Sequence, residues 1–212
     1  MKTDRRRILL ATALMAAMSL DDRSVLAQGS QGSGGGTFSY RGFTVDISAV
    51  SNLPDAKALE TSLKHQIDIV ADSGVSPAIM SFFRSQEISV KPGQTDGGGH
   101  FAANSKGITV DATVQAPEKP VTLHELLHAY HFRVLPGAIQ NPDLLRFYDR
   151  AKEEQFYPPD SYVLKNVQEF FAVTGSLYLW GNVDRPPHDR ATLREKQPVY
   201  YKWLGELFGV LK

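Results

Sequence analysis

Between Thr122 and Phe132 the chain reads TLHELLHAYHF, which holds three of the protein's six histidines. On a helix, His124 and His128 stand one turn apart, ~6 Å along the axis, so both imidazoles can reach one cation. A third protein ligand would complete a tetrahedral site and leave one position for water. Glu125 lies about 100° round the helix from His124, beside the ligands, where a carboxylate can take a proton from that water. His131 is ~10.5 Å from His124 along a straight helix, too far to share the ion. The first glycine that could bend the chain back is Gly137, so His131 is not expected to be a ligand.

Most other positions of this run are apolar (Val121, Leu123, Leu126, Leu127, Ala129, Tyr130, Phe132), so the helix should be buried with its ionisable groups gathered on one side. Burying such a stripe is costly unless a charge pairs with it, and a divalent cation does so. The chain has no cysteine, which excludes disulfides, thiol catalysis and thiolate metal sites. The third ligand must then be His, Asp or Glu, and the candidates are Glu153, Glu154, Asp160, Glu169, His188 and Glu195. Glu153 and Glu154 sit in RAKEEQ, a solvated helix face by its composition. Glu169 sits in VQEFFAV, among residues that favour burial, where a carboxylate needs a cation or strong hydrogen bonds. It is the preferred candidate.

The elements that must position these residues are legible in outline. FSYRGFTVDIS alternates at Phe43, Val45 and Ile47 as a half-buried strand does. A helix follows from Pro54 to Gly74 with Leu59, Leu63, Ile67 and Val70 on one face, then a short one opened by Ser76 and Pro77. EISVKP (87–92) reads as a strand, and HFAANSKGITVDATV (100–114) as a hairpin turning at NSKG. The glycines at 97–99 precede a strand, not a helix, so they do not form a phosphate loop. His100 reads as a surface histidine and His188 as a loop residue. The histidine helix runs from Pro120 to LPG at 135–137, a further helix starts at Asn141, and VLKNVQEFFAVTGSLYLW reads as one long helix. The C-terminal stretch is helical with a break at Pro198. Strands first and helices afterwards predict one α+β domain over 38–212.

Ahead of that domain, MKTDRRR followed by the apolar run ILLATALMAAMSL and SVLA has the layout of an export signal over residues 1–27, and DRRRILL resembles the twin-arginine type. QGSQGSGGGT (28–37) reads as a flexible linker. The apolar run is short of the ~18–20 residues of a membrane-spanning helix, so no anchor is expected after cleavage, and the mature protein should be periplasmic or secreted. Cleavage would remove Lys2, Arg5, Arg6, Arg7 and Arg23 against Asp4, Asp21 and Asp22, taking the net charge from zero to about −2. That balance gives no reason to expect a nucleic-acid partner.

HELLH with EFFA on a later helix resembles the gluzincin metallopeptidases, and in particular the catalytic domain of anthrax lethal factor and its relatives. The resemblance covers roughly residues 120–180 and implies a zincin-like metalloprotease domain. A small N-terminal mixed sheet with helices, an active-site helix and a helical C-terminal part would make up that domain. It implies one Zn²⁺ held by His124, His128 and Glu169, with Glu125 as the catalytic base. A tyrosine seven residues before the ligand glutamate assists catalysis in those enzymes, and that position here is Tyr162. The family also has an acid four residues after the ligand, supporting a ligand histidine; here it is Val173. The expected function is an exported zinc metallopeptidase acting on protein or peptide substrates. The same centre would serve hydrolysis of a cell-wall amide, and a module of this fold could bind without turnover. The intact Glu125 favours an enzyme.

Overall fold

The computed structural model describes residues 36–93 and 98–212. The expected export signal lies outside the described residues, as does all of the expected linker except Gly36 and Thr37, and Thr37 already opens the first strand. The described residues form a mixed α+β fold of five strands and seven α-helices.

The stretch expected to be one strand is a hairpin, with β1 at Thr37–Tyr40 and β2 at Phe43–Asp46 paired antiparallel. The cause is the Arg41-Gly42 pair, both at positive φ (49° and 84°), the mirror-image turn that suits strand twist. Helices α1 (Ala56–Ala71) and α2 (Pro77–Arg84) carry the chain across to β3 (Glu87–Lys91). β4 (Gly99–Phe101) and β5 (Gly107–Asp111) form the expected hairpin. The sheet order is β1-β2-β3-β5-β4, with β2, β3 and β5 mutually parallel and the outer strands antiparallel. The register aligns Val45, Ile88 and Ile108 in one row and Val90 with Val110 in the next. All five are buried, and together they give the sheet one continuous apolar face.

Helix α3 (Val121–Arg133) packs against that sheet, α1 and, most extensively, α5 (Val167–Trp180). Between them come α4 (Pro142–Glu153), capped by the Asn141 side chain, and a 3-10 turn at Tyr162–Leu164. The long helix expected from Val163 onward is therefore interrupted. Asn166 leaves helical geometry and its Oδ1 accepts from Glu169 N at 2.8 Å, which starts α5 with a side-chain cap. Helices α6 (Arg190–Lys196) and α7 (Pro198–Phe208) close the fold with the expected break before Pro198. No described helix is long and apolar enough to cross a membrane.

Two contacts fix α3. At its start Pro120 offers no cap, and Gln66 of α1 supplies one from a distance. Gln66 Nε2 donates to Lys119 O at 2.6 Å, and its Oε1 accepts from Thr122 N at 3.2 Å. At its end Arg133 donates to Gln86 Oε1 and Ser105 O, and its guanidinium lies 5.0 Å from the Phe101 ring centroid, tying the helix to the β4–β5 hairpin. Gln66 is only 1% exposed, so truncating it strands buried backbone groups. Gln66→Ala should cost about 1–3 kcal/mol, measured as a lower thermal midpoint of the chelator-treated protein. An unchanged midpoint would mean that the cap contributes nothing.

Candidate metal centre

His124 and His128 project from α3 toward the first turn of α5, where Glu169 meets them. His124 Nε2 and His128 Nε2 are 3.0 Å apart, and Glu169 Oε2 lies 3.2 Å from the first and 3.4 Å from the second. Among the described residues this is the group of three or more His, Asp or Glu side chains arranged to hold an ion. Bonds of ~2.0–2.1 Å to a tetrahedral zinc ion place its ligand atoms ~3.3 Å apart. The observed triangle therefore has the size of one face of such a tetrahedron. Glu169 Oε2 is buried and makes no hydrogen bond of good geometry, with the two imidazole nitrogens beside it at 3.2 and 3.4 Å, so a cation among the three would partner it.

The electrostatics agree. Burial pushes His124 down to about 4 against the pull of Glu169, so its imidazole is neutral near pH 7, as a metal ligand must be. Burial alone would raise Glu169, but the two imidazoles outweigh it and hold the carboxyl below the usual range. With Nε2 unprotonated on both rings, the two imidazoles and the carboxylate present lone pairs to one point. One bridging proton could relieve one edge of the triangle but not all three.

A glycine eases the approach of α5 to α3. A Cβ on Gly175 would sit 3.1 Å from Leu127 Cδ1 and 3.3 Å from Phe208 Cζ, closer than side chains normally come. Behind it, Phe170 stacks on Tyr200 with centroids 5.0 Å apart, and Tyr200 hydroxyl and Thr174 Oγ1 are hydrogen-bonded at 2.7 Å. This packing holds the carboxylate in place from the rear.

Glu125 faces the sheet side. Gly98 O accepts from Asp111 N, so the alternating antiparallel pattern leaves the backbone groups of Gly99 and Phe101 on the open edge of β4. Glu125 accepts from the Phe101 N–H. Burial raises its carboxyl to about 7, with the charges of Glu169 and Asp111 adding to the effect. A Cβ on Gly99 would come within 2.5 Å of Glu125 Cγ, so only glycine lets the strand cross here. Sequence reasoning noticed the three glycines at 97–99 but not this role, which depends on a contact between residues 26 positions apart.

Tyr162 stands on the 3-10 turn ahead of α5, 37% exposed, with its ring under the Arg185 guanidinium at 4.6 Å and beside Lys165 Nζ at 5.1 Å. Burial and the neighbouring Glu169 carboxylate push its phenol up to about 12. Two cavities flank the centre and share Gly99, His100, Glu125, Tyr162 and Lys165. The larger, about 530 Å³, runs past the start of α3, and Val121, Val173, Val183 and Arg185 are among its walls. The smaller, about 320 Å³, lies toward His128 and Phe132. Together they make a cleft along β4.

The remaining candidates stand apart from this group. His131 is buried against Phe171, its Nε2 3.2 Å from Ala138 O, and takes no part in the triangle. Glu154 pairs with Arg150 at 2.8 Å, and none of Glu153, Asp160, His188 and Glu195 joins the cluster. Val173 occupies the cavity wall where the resembling family has an acid, and among the described residues no side-chain partner replaces that acid on His124 or His128 beyond the contacts given above.

No family model matches the chain, and no curated protein matches it. Among solved structures it is similar to the Pro-Pro endopeptidase PPEP-2 from Paenibacillus alvei. That likeness has 18% identity over 72% of this chain and 92% of that one, with a TM-score of 0.49. It is too distant to carry an argument about the chemistry of this centre, which rests on the side chains themselves.

The triangle makes a direct prediction. The protein should bind one equivalent of Zn²⁺ and gain thermal stability on doing so, because an ion that binds only the folded state stabilises it. His128→Ala and Glu169→Ala should each lose the stoichiometric ion and the gain, read by metal analysis after dialysis and by thermal unfolding. His131→Ala should retain one equivalent.

Proposed function

We propose that this chain is a zincin-like, zinc-dependent peptidase, in which His124, His128 and Glu169 hold the ion and Glu125 and Tyr162 carry the chemistry. The observation that carries the reading is the coincidence of a tetrahedron-sized ligand triangle with a buried carboxylate beside it and an open strand edge above it. When bound, Zn²⁺ supplies a water of lowered pKa and polarises the scissile carbonyl.

The chain's own residues account for the remaining steps. The open backbone groups of Gly99 and the carbonyl of Phe101, whose N–H is taken by Glu125, can pair with an extended peptide and lay it along the cleft. Glu125, with its carboxyl raised toward neutrality by burial, takes a proton from the attacking water and delivers it to the departing amine nitrogen. The phenol of Tyr162, which burial keeps protonated well above pH 7, donates a hydrogen bond to the oxygen that gains charge as the carbonyl carbon becomes tetrahedral. The 3-10 turn, with α5 capped immediately after it, holds that hydroxyl and the Glu169 ligand seven residues apart on one rigid corner. The signal-like residues 1–27 support a periplasmic or secreted protein acting on proteins or peptides met there.

Hydrolysis of a mixed peptide library by the zinc-loaded protein, with and without chelator, tests the reading; cleavage that ignores the chelator would refute it. Glu125→Gln should keep its zinc and lose hydrolysis. Tyr162→Phe should keep zinc and lower kcat about 10²–10³-fold, the scale of one oxyanion donor. Gly99→Ala should also keep zinc but lower kcat, because the new methyl displaces the Glu125 side chain.

A further inference from the structure

The larger cavity has an uneven charge. Lys119, Lys165 and Arg185 line it, against Asp184 and the catalytic Glu125. Asp184 is already committed, pairing with Lys119 Nζ at 2.9 Å and with Arg185 Nε at 3.3 Å. Among the described residues Lys165 has no carboxylate partner, and the two terminal nitrogens of Arg185 donate to no acceptor. Arg185 is also oriented. Its Nε is held by Asp184 and its plane by the Tyr162 ring 4.6 Å away, so the fork is fixed beside the tyrosine proposed to meet the scissile carbonyl. Ser176 Oγ, in the wall of the same cavity, is buried with no hydrogen-bond partner. A planar, pre-oriented guanidinium with free donors matches a carboxylate.

We propose that this side of the cleft is a carboxylate-binding subsite, with Arg185 as its main contact and Lys165 as a second, so that the favoured substrates are acidic peptides. This rests on the peptidase reading and names its substrate class. The carboxylate can come from an Asp or Glu side chain near the scissile bond or from the C-terminus of a short peptide. The shared chemistry is the same, and the two sources separate experimentally. Lys119 and Asp184 act as positioning residues, since their ion pair pins the 182–185 segment to the start of α3.

The test uses a peptide that the zinc-loaded protein cleaves, remade with Glu, Gln or Lys at each of three positions on either side of the scissile bond, with a free or an amidated C-terminus. At one position Glu should be cut about tenfold faster than Gln, with Lys slower still, one charge-assisted contact being worth at least that factor. If instead the free acid is preferred over the amide with no preference for Glu, the carboxylate is the chain terminus and the subsite stands. Arg185→Gln should bring the Glu-to-Gln ratio of kcat/KM close to one, Arg185→Lys should retain most of it, and Arg185→Glu should shift the preference toward Lys. A purely structural role for Arg185 would change rates without moving that ratio.

Binding gives a second readout independent of turnover. Fluorescence anisotropy of the same peptides with the Glu125→Gln protein should show the same order. Equal binding and equal cleavage of Glu, Gln and Lys peptides, and of acid and amide, would overturn the subsite while leaving the peptidase reading intact. If no peptide of the mixed library is cleaved, preferential binding of its acidic members over their Gln and Lys counterparts would do the reverse.

Discussion

Two imidazole nitrogens and a carboxylate oxygen are held 3.0–3.4 Å apart in a partly buried pocket, and a proton can bridge one edge of that triangle whereas a cation satisfies all three. That constraint organises the molecule. Burial pushes the His124 imidazole toward its neutral form, which suits a ligand. The fold holds the three groups together through α3 and α5, whose close approach Gly175 eases and which aromatic packing behind Phe170 supports. Stability and function are therefore linked, because an ion bound by these three groups stabilises the folded state that assembles them.

Around the triangle the environment is divided by chemistry. Glu125 leaves the ligand cluster for the sheet, where a glycine makes room and a backbone N–H steadies its carboxylate. Tyr162 comes from the opposite wall, on a turn that ends where α5 is capped. The proposed base and hydrogen-bond donor thus reach the cleft from elements distant in sequence, and both precede or follow a proposed ligand at short range. Rigid elements at either side keep the spacing that proton transfer requires.

What the sequence could reveal follows from how local each cause is. The HELLH spacing, the helix breaks at Pro120, Pro142 and Pro198, and the burial signal around Glu169 are all written in neighbouring residues, and the structure shows each in place. Tyr162 was reached only through the family resemblance, since a tyrosine seven residues ahead of a glutamate has no local physical signature. The Arg41-Gly42 turn is local too, but alternation at Phe43 and Val45 reads the same on either arm of a hairpin. The interruption at Asn166 was hidden within an apolar run that could have continued as helix. Gln66 capping α3, Gly99 yielding to Glu125 and Arg185 stacking on Tyr162 all depend on contacts between segments far apart in the chain. No periodicity or motif encodes such contacts before the fold brings the segments together.

The most direct test of the central claim is zinc K-edge X-ray absorption on the purified, zinc-loaded protein, which counts imidazoles in the coordination shell. Two imidazoles with light oxygen ligands at ~2.0–2.1 Å and a coordination number near four are predicted. Three imidazoles, or a six-coordinate oxygen shell, would contradict the His124, His128 and Glu169 centre described above.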